Sequence, residues 1–174
     1  GIPAIFFLQK TDGNFPKAIP HIEWHLFPLK EMSKRGWIHP IKDLKDSAEE
    51  AMRLFINDCC PNGEAIEACF RENSGNRINA KTDSYSLNSW CMRIMALAQK
   101  NTPQRKFDHT KFTPDSLREI AKLSFFDEGP LLAREFLGKH GIHLIIERHL
   151  PKTYLDGAAL LLEDSTPVVG LTLR

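Results

Sequence analysis

The sequence predicts an α+β chain, with a mainly helical N-terminal two-thirds followed by a small three-stranded antiparallel sheet. Apolar residues recur at three- and four-residue spacing through much of residues 20–140. From Ile142 the pattern changes to short apolar runs, at Ile142–Glu147, Ala158–Glu163 and Val168–Leu173. Short connections between successive runs favour an antiparallel meander. A chain of 174 residues suffices for one core, or for a helical region plus a sheet-bearing half. With 23 Lys and Arg against 22 Asp and Glu, the net charge of +1 gives no global electrostatic reason to bind nucleic acid or acidic membranes. No apolar run approaches the ~18 residues of a membrane span. The first ten residues, GIPAIFFLQK, have an apolar patch without the preceding basic region of a signal peptide. Cys59, Cys60, Cys69 and Cys91 are therefore expected to be reduced, partly buried thiols of a cytoplasmic protein.

Taken in order, residues 1–19 are expected to form an arm: apolar at first, then turn-rich at Asp12-Gly13-Asn14 and Pro16. Pro20 suits the first turn of a helix through His21-Ile22-Glu23-Trp24-His25, which Pro28 would end. His21 and His25 have the spacing of the first two zinc ligands in H-E-x-x-H, but the order here is H-x-E-x-H. Glu23 would lie about 200° round the helix from each His, so the general base is missing. Two partly exposed histidines are the expected outcome. Leu29–Trp37 reads as a short helix closed by Gly36. Asp43–Asp58 reads as an amphipathic helix with Leu44, Ala48, Ala51 or Met52, and Phe55 on its apolar side. Cys59-Cys60-Pro61-Asn62-Gly63 ends it and lacks the C-x-x-C spacing of a metal knuckle.

A short helix is expected from Glu64 to Phe70, then a polar surface loop from Arg71 to Asp83. Ser84–Lys100 carries the strongest helical pattern, with one apolar stripe of Leu87, Trp90, Cys91, Ile94, Leu97 and Ala98, read as core. Arg105, Lys106, His109 and Lys111 interleave with Phe107 and Phe112, the makings of a nucleic-acid strip. The favoured role is a solvated linker whose phenylalanines dock on the core. Thr113-Pro114 starts the next helix with an N-cap followed by proline. Gly129-Pro130 opens the last one, packed through Leu132, Phe136 and Leu137 and closed by Gly141. This last helix is expected to cover one sheet face. The other face has no obvious partner downstream.

Residues 141–174, GIHLIIERHLPKTYLDGAALLLEDSTPVVGLTLR, resemble the start of the ImmA/IrrE type of metallopeptidase domain, most specifically at Leu150–Ala159. FPLKEMSKRGWI (Phe27–Ile38), SLNSWCMRIMALA (Ser86–Ala98) and FTPDSLREIAKLS (Phe112–Ser124) resemble the helical segment upstream of it. In HigA-like antitoxins and plasmid-maintenance regulators, that segment links the domain to a helix-turn-helix. The resemblance covers the chain from about Phe27. With the arm read at 1–19, the expected organisation is a helical region at 20–125 and, as the resemblance implies, the start of a zincin-like domain at 126–174. The implied protein is an intracellular bacterial regulator. In that fold the next helix carries H-E-x-x-H: two zinc ligands and a glutamate that activates the metal-bound water.

No helix-turn-helix is recognisable at the N-terminus and no H-E-x-x-H occurs in these residues, so the chain is expected to be the central part of such a protein. Its final Arg174 fits trypsin-like cleavage of a longer chain. No catalytic residue, metal ligand or cofactor is expected within it. Zinc and peptidase activity would belong to the full-length protein. His149 is expected to be a loop residue bonding backbone. The implied partner is a protein or peptide, such as a repressor, toxin or substrate peptide. DNA would be bound only through the upstream domain, no membrane is involved, and homodimerisation is compatible with the reading. Peptidases of this kind hold an extended peptide against an edge strand, and the resemblance assigns Gly157, Ala158 and Ala159 to it. Small side chains there admit a second backbone, although they equally suit tight sheet packing. Lys152 and Asp156 are expected to order the preceding loop by a charge contact worth ~0–1 kcal/mol at the surface. The alternative function is a non-enzymatic interaction module, antitoxin-like, of a transcriptional regulator.

Overall fold

A computed structural model describes the backbone of residues 5–7 together with residues 23–40, 47–59, 81–101, 105–162 and 164–173. The helix expected at 64–70, most of the 71–83 loop, His21, Cys60, Cys69 and residues 43–46 lie outside the described residues. The helices are α1 (Leu29–Lys34), α2 (Ala48–Cys59), α3 (Ser84–Gln99), α4 (Pro114–Leu123) and α5 (Gly129–Lys139). The strands are β1 (Ile5–Phe7), β2 (His143–Ile146), β3 (Gly157–Leu161) and β4 (Pro167–Leu171).

Two helices end in the same device. Gly36 (φ 68°) and Gly141 (φ 77°) lie in the left-handed region, where a residue without Cβ is least strained. After α1, Gly36 N–H donates to Ser33 O and Trp37 N–H to Met32 O. After α5, Gly141 N–H donates to Gly138 O and Ile142 N–H to Leu137 O. Both are Schellman turns that satisfy otherwise orphaned carbonyls, and each buries the residue after the glycine. The start of α3 is equally local: the Asp83 carboxylate accepts from Ser86 N–H at 2.7 Å. The stretch after Pro20 differs from expectation. Its described part is a single 3-10 turn at Trp24–Leu26, and the His25 ring lies 3.5 Å from the Glu23 carboxylate.

The α+β class is as the sequence predicts, but the sheet is mixed, not antiparallel. Its order is β1-β3-β4-β2. Only β3 and β4 pair antiparallel; β2 runs parallel to β4, and β1 parallel to β3. The hairpin between β3 and β4 follows its turn chemistry. Thr166 N–H donates to the Asp164 carboxylate at 3.0 Å, and Ser165 takes φ 66°. The connection from β2 to β3, by contrast, has the length to pass over one strand position, about 4.8 Å wide, and leaves that place for β4. A local pattern of three successive strands does not distinguish this route from a meander.

Alternation along the strands divides the sheet between two cores. Ile145, Ala158, Leu160 and Val168 face the main core, and Leu144 and Val169 face the second. Helix α5 covers the second face through Leu137, joined by Phe107, Phe112 and Ile120. The docked phenylalanines fit the linker role favoured for residues 105–112. The first face is covered by α3, which precedes the sheet in the chain, so its missing downstream partner is supplied from upstream. Helix α3 also buries Met92, Met95 and Ala96, beyond the single stripe expected of it. It lies between the sheet and α1–α2, whose Met32, Met52 and Phe55 share its core. Burial pushes the Cys91 thiol up to about 12, which makes it an inert packing residue.

Helix α3 approaches the sheet closely at Gly170, where a methyl group would lie 3.0 Å from Trp90 Cη2 and 3.1 Å from two Ile94 carbons. Gly170→Ala is expected to cost ~1–3 kcal/mol by overpacking, read as a lower urea midpoint at unchanged slope. A wild-type midpoint in that variant would contradict the packing.

Candidate peptide-binding edge

Strand β3 sits between β4 and β1, and its five residues divide cleanly by direction. The antiparallel ladder to β4 continues outward on both sides, where Thr172 N–H donates to Asp156 O and Leu162 N–H to Thr166 O. Bonded pairs alternate along such a ladder, so Ala158 and Leu160 direct their amides and carbonyls to β4. Gly157, Ala159 and Leu161 direct theirs to the outer edge. There β1 lies in parallel register, with Ile5 opposite Gly157, Phe6 opposite Ala158 and Phe7 opposite Ala159.

The structure gives the three small residues different settings. A methyl on Gly157 would come 2.7 Å from Gly170 O and 3.0 Å from Leu171 Cδ2, so closeness to β4 alone demands a glycine there. Ala158 is buried in the main core. Ala159 is half-buried and points to the opposite face. Smallness at 157 and 158 thus has packing causes inside the sheet. The edge itself is defined by backbone, through Gly157, Ala159 and Leu161.

The loop before β3 is ordered mainly by backbone groups. Lys152 (φ 64°) and Tyr154 (φ 44°) occupy the left-handed region, which costs a non-glycine residue about 1 kcal/mol or more. Three anchors hold them there. The Lys152 carbonyl accepts from Asp83 N–H at 2.9 Å, at the start of α3. Buried Thr153 donates from Oγ1 to Leu150 O at 2.8 Å. Thr172 Oγ1 lies 3.2 Å from the carbonyls of both Leu155 and Asp156. The carbonyls of Lys152 and Asp156 thus take part in ordering the loop.

The upstream part of the same loop is held by Arg35, at the end of α1, a residue that sequence reasoning missed. Its guanidinium donates to Arg148 O at 2.8 Å and His149 O at 3.1 Å, while Nε donates to Glu31 at 2.7 Å. It also stacks over Trp37 at 5.4 Å, and Arg93 lies 5.6 Å from the same ring. Arg93 approaches Glu147 at 3.6 Å, an ion-pair distance beyond hydrogen-bond range. The only local sign is the i,i+4 pairing of Glu31 and Arg35; nothing in the sequence links them to residues 148 and 149. His149 bonds backbone as expected, its Nδ1 lying 3.2 Å from Leu173 O.

Burial holds His143 below the usual histidine range, partly offset by Asp164. Among the described residues, no three His, Cys, Asp or Glu side chains are grouped to hold a metal. No helix among them is long and apolar enough to cross a membrane. No family model matches the chain, and neither a curated protein nor a solved structure matches it.

The Arg35 hydrogen bond holds the Glu31 carboxyl below the usual carboxylate range. A depressed carboxylate contributes stability above its unfolded-state value, and that contribution is lost as pH falls through the folded value. The urea midpoint of the wild type is therefore expected to fall more steeply below pH 4.5 than that of Glu31→Gln. Parallel curves would remove Glu31 from the acid response. Arg35→Ala is expected to cost ~1–3 kcal/mol at neutral pH through the loss of its charged hydrogen bonds to Glu31 and the loop carbonyls, measured by the same unfolding curves.

Proposed function

We propose that this chain is the scaffold beside a peptide-binding cleft, and that the outer edge of β3 takes an extended segment of a protein partner by strand addition. The observation that carries the reading is the pairing on that edge, where a second backbone lies in register along Gly157–Ala159. Strand addition needs outward amides and carbonyls on a supported strand. Here β4 supports β3 from inside, and the anchored 147–156 loop fixes where it starts. The resemblance to the ImmA/IrrE type places this scaffold in an intracellular regulator whose partner is a repressor, toxin or substrate peptide. Zinc would belong to an H-E-x-x-H helix elsewhere in the full-length protein, and DNA binding to an upstream domain. The coding sequence on both sides of the chain tests that assignment. An H-E-x-x-H helix encoded after Arg174 favours the metallopeptidase type, and its absence favours the non-enzymatic interaction module.

The edge itself is tested by Ala159→Pro. This removes an outward N–H, the one on the β1 side, while sparing the bonds of Ala158 and Leu160 to β4. Random nine-residue peptides selected against the wild-type chain are expected to include extended binders that lose at least tenfold in affinity for the variant. Binders indifferent to the substitution would sink the strand-addition reading.

A further inference from the structure

The strand that lies on the edge belongs to the chain itself. We infer that Ile5–Phe7 is a built-in competitor: a tethered strand that occupies the β3 edge and must leave before a longer strand can bind. The inference rests on the reading of β3 as a peptide edge, and it adds how that edge is regulated.

The register makes the contact specific. In a parallel ladder, one residue bonds to the residues before and after its opposite number. Phe6 lies opposite Ala158. Its N–H is therefore aimed at Gly157 O and its carbonyl at Ala159 N–H, the outward groups of β3. The neighbouring N–H of Phe7 belongs to the other side of β1. Among the described residues, Phe6 carries the closure.

The same register makes the contact replaceable. β1 spans three residues of a five-residue strand, and its register ends opposite Ala159, two residues short of the end of β3. It is also parallel, the slightly weaker pairing per residue. An incoming strand that runs antiparallel along all of Gly157–Leu161 gains a longer ladder of the stronger kind. What favours β1 is covalent attachment, since a tethered strand can have an effective concentration in the millimolar range. A contact of this kind blocks weak or short ligands and yields to long ones.

The test uses the whole chain and a fluorescein-labelled peptide with the sequence of residues 1–10, GIPAIFFLQK. Phe6→Pro removes the N–H aimed at Gly157, whereas Phe7→Pro removes one that faces away and serves as the register control. The labelled peptide is expected to bind Phe6→Pro at least tenfold more tightly than either wild type or Phe7→Pro. Amide exchange supplies an independent readout. In Phe6→Pro the Ala159 amide should exchange at least tenfold faster, with Ala158 and Leu160 still protected by β4. That pattern also establishes that the variant has folded. Equal peptide binding by wild type and Phe6→Pro overturns the competitor and leaves the peptide edge standing. No binding by any of the three, with the Ala159 amide released, overturns both. Unchanged exchange at Ala159 in Phe6→Pro overturns the register on which the inference depends.

Discussion

The close approach of α3 to β4 is the constraint on which the rest of the molecule depends. Trp90 is fully buried, and its ring passes so close to Gly170 that a methyl group there would force the ring to shift by a few tenths of an ångström. The indole N–H donates to Glu147 O at 3.2 Å, so one side chain fixes both the strand below the helix and the end of β2 beside it. That contact holds β4 against the helix, and β2 and β3 flank β4 in the mixed sheet. It also creates the outer edge of β3, because β4 occupies the inner one.

Local chemistry was legible in the sequence wherever the governing contact lay within a few residues. Gly36 and Gly141 announced two helix ends, Thr113-Pro114 announced a helix start, and Asp164-Ser165-Thr166 announced a turn. Each is decided by hydrogen bonds between near neighbours. Strand order was not legible, because the apolar runs at 142–147, 158–163 and 168–173 look the same in a meander and in the observed sheet. The choice is made by α3, more than forty residues earlier in the chain. The two-sided burial of α3 was under-read for the same reason. Met92, Met95 and Ala96 extend its stripe only if a second helical layer is already known to be there.

The candidate edge rests on a different footing in the structure than in the sequence. Small side chains at Gly157 and Ala158 suggested room for a ligand, whereas the contacts trace them to β4 and the main core. The capacity for strand addition lies in alternate backbone groups, which depend on register and not on residue type. Lys152 and Asp156 were likewise singled out for charge, while their carbonyls make the bonds that shape the loop. Arg35 adds a contact to the same loop from a distance.

The Arg35 strap also bears on how the chain reaches this state. Its bonds to Arg148 and His149 join residues 113 and 114 positions apart. Closing so long a loop carries an entropic cost that the strap cannot offset until both ends are already structured. Contacts near in sequence, such as α4 with α5 and the β3–β4 hairpin, carry a smaller closure cost. On that ground the strap is expected to form late, once α3 has brought residues 35 and 148–149 together. Contacts absent from the folding transition state act mainly on the rate of unfolding. By this reasoning Arg35 governs the lifetime of the folded protein more than the speed with which it forms.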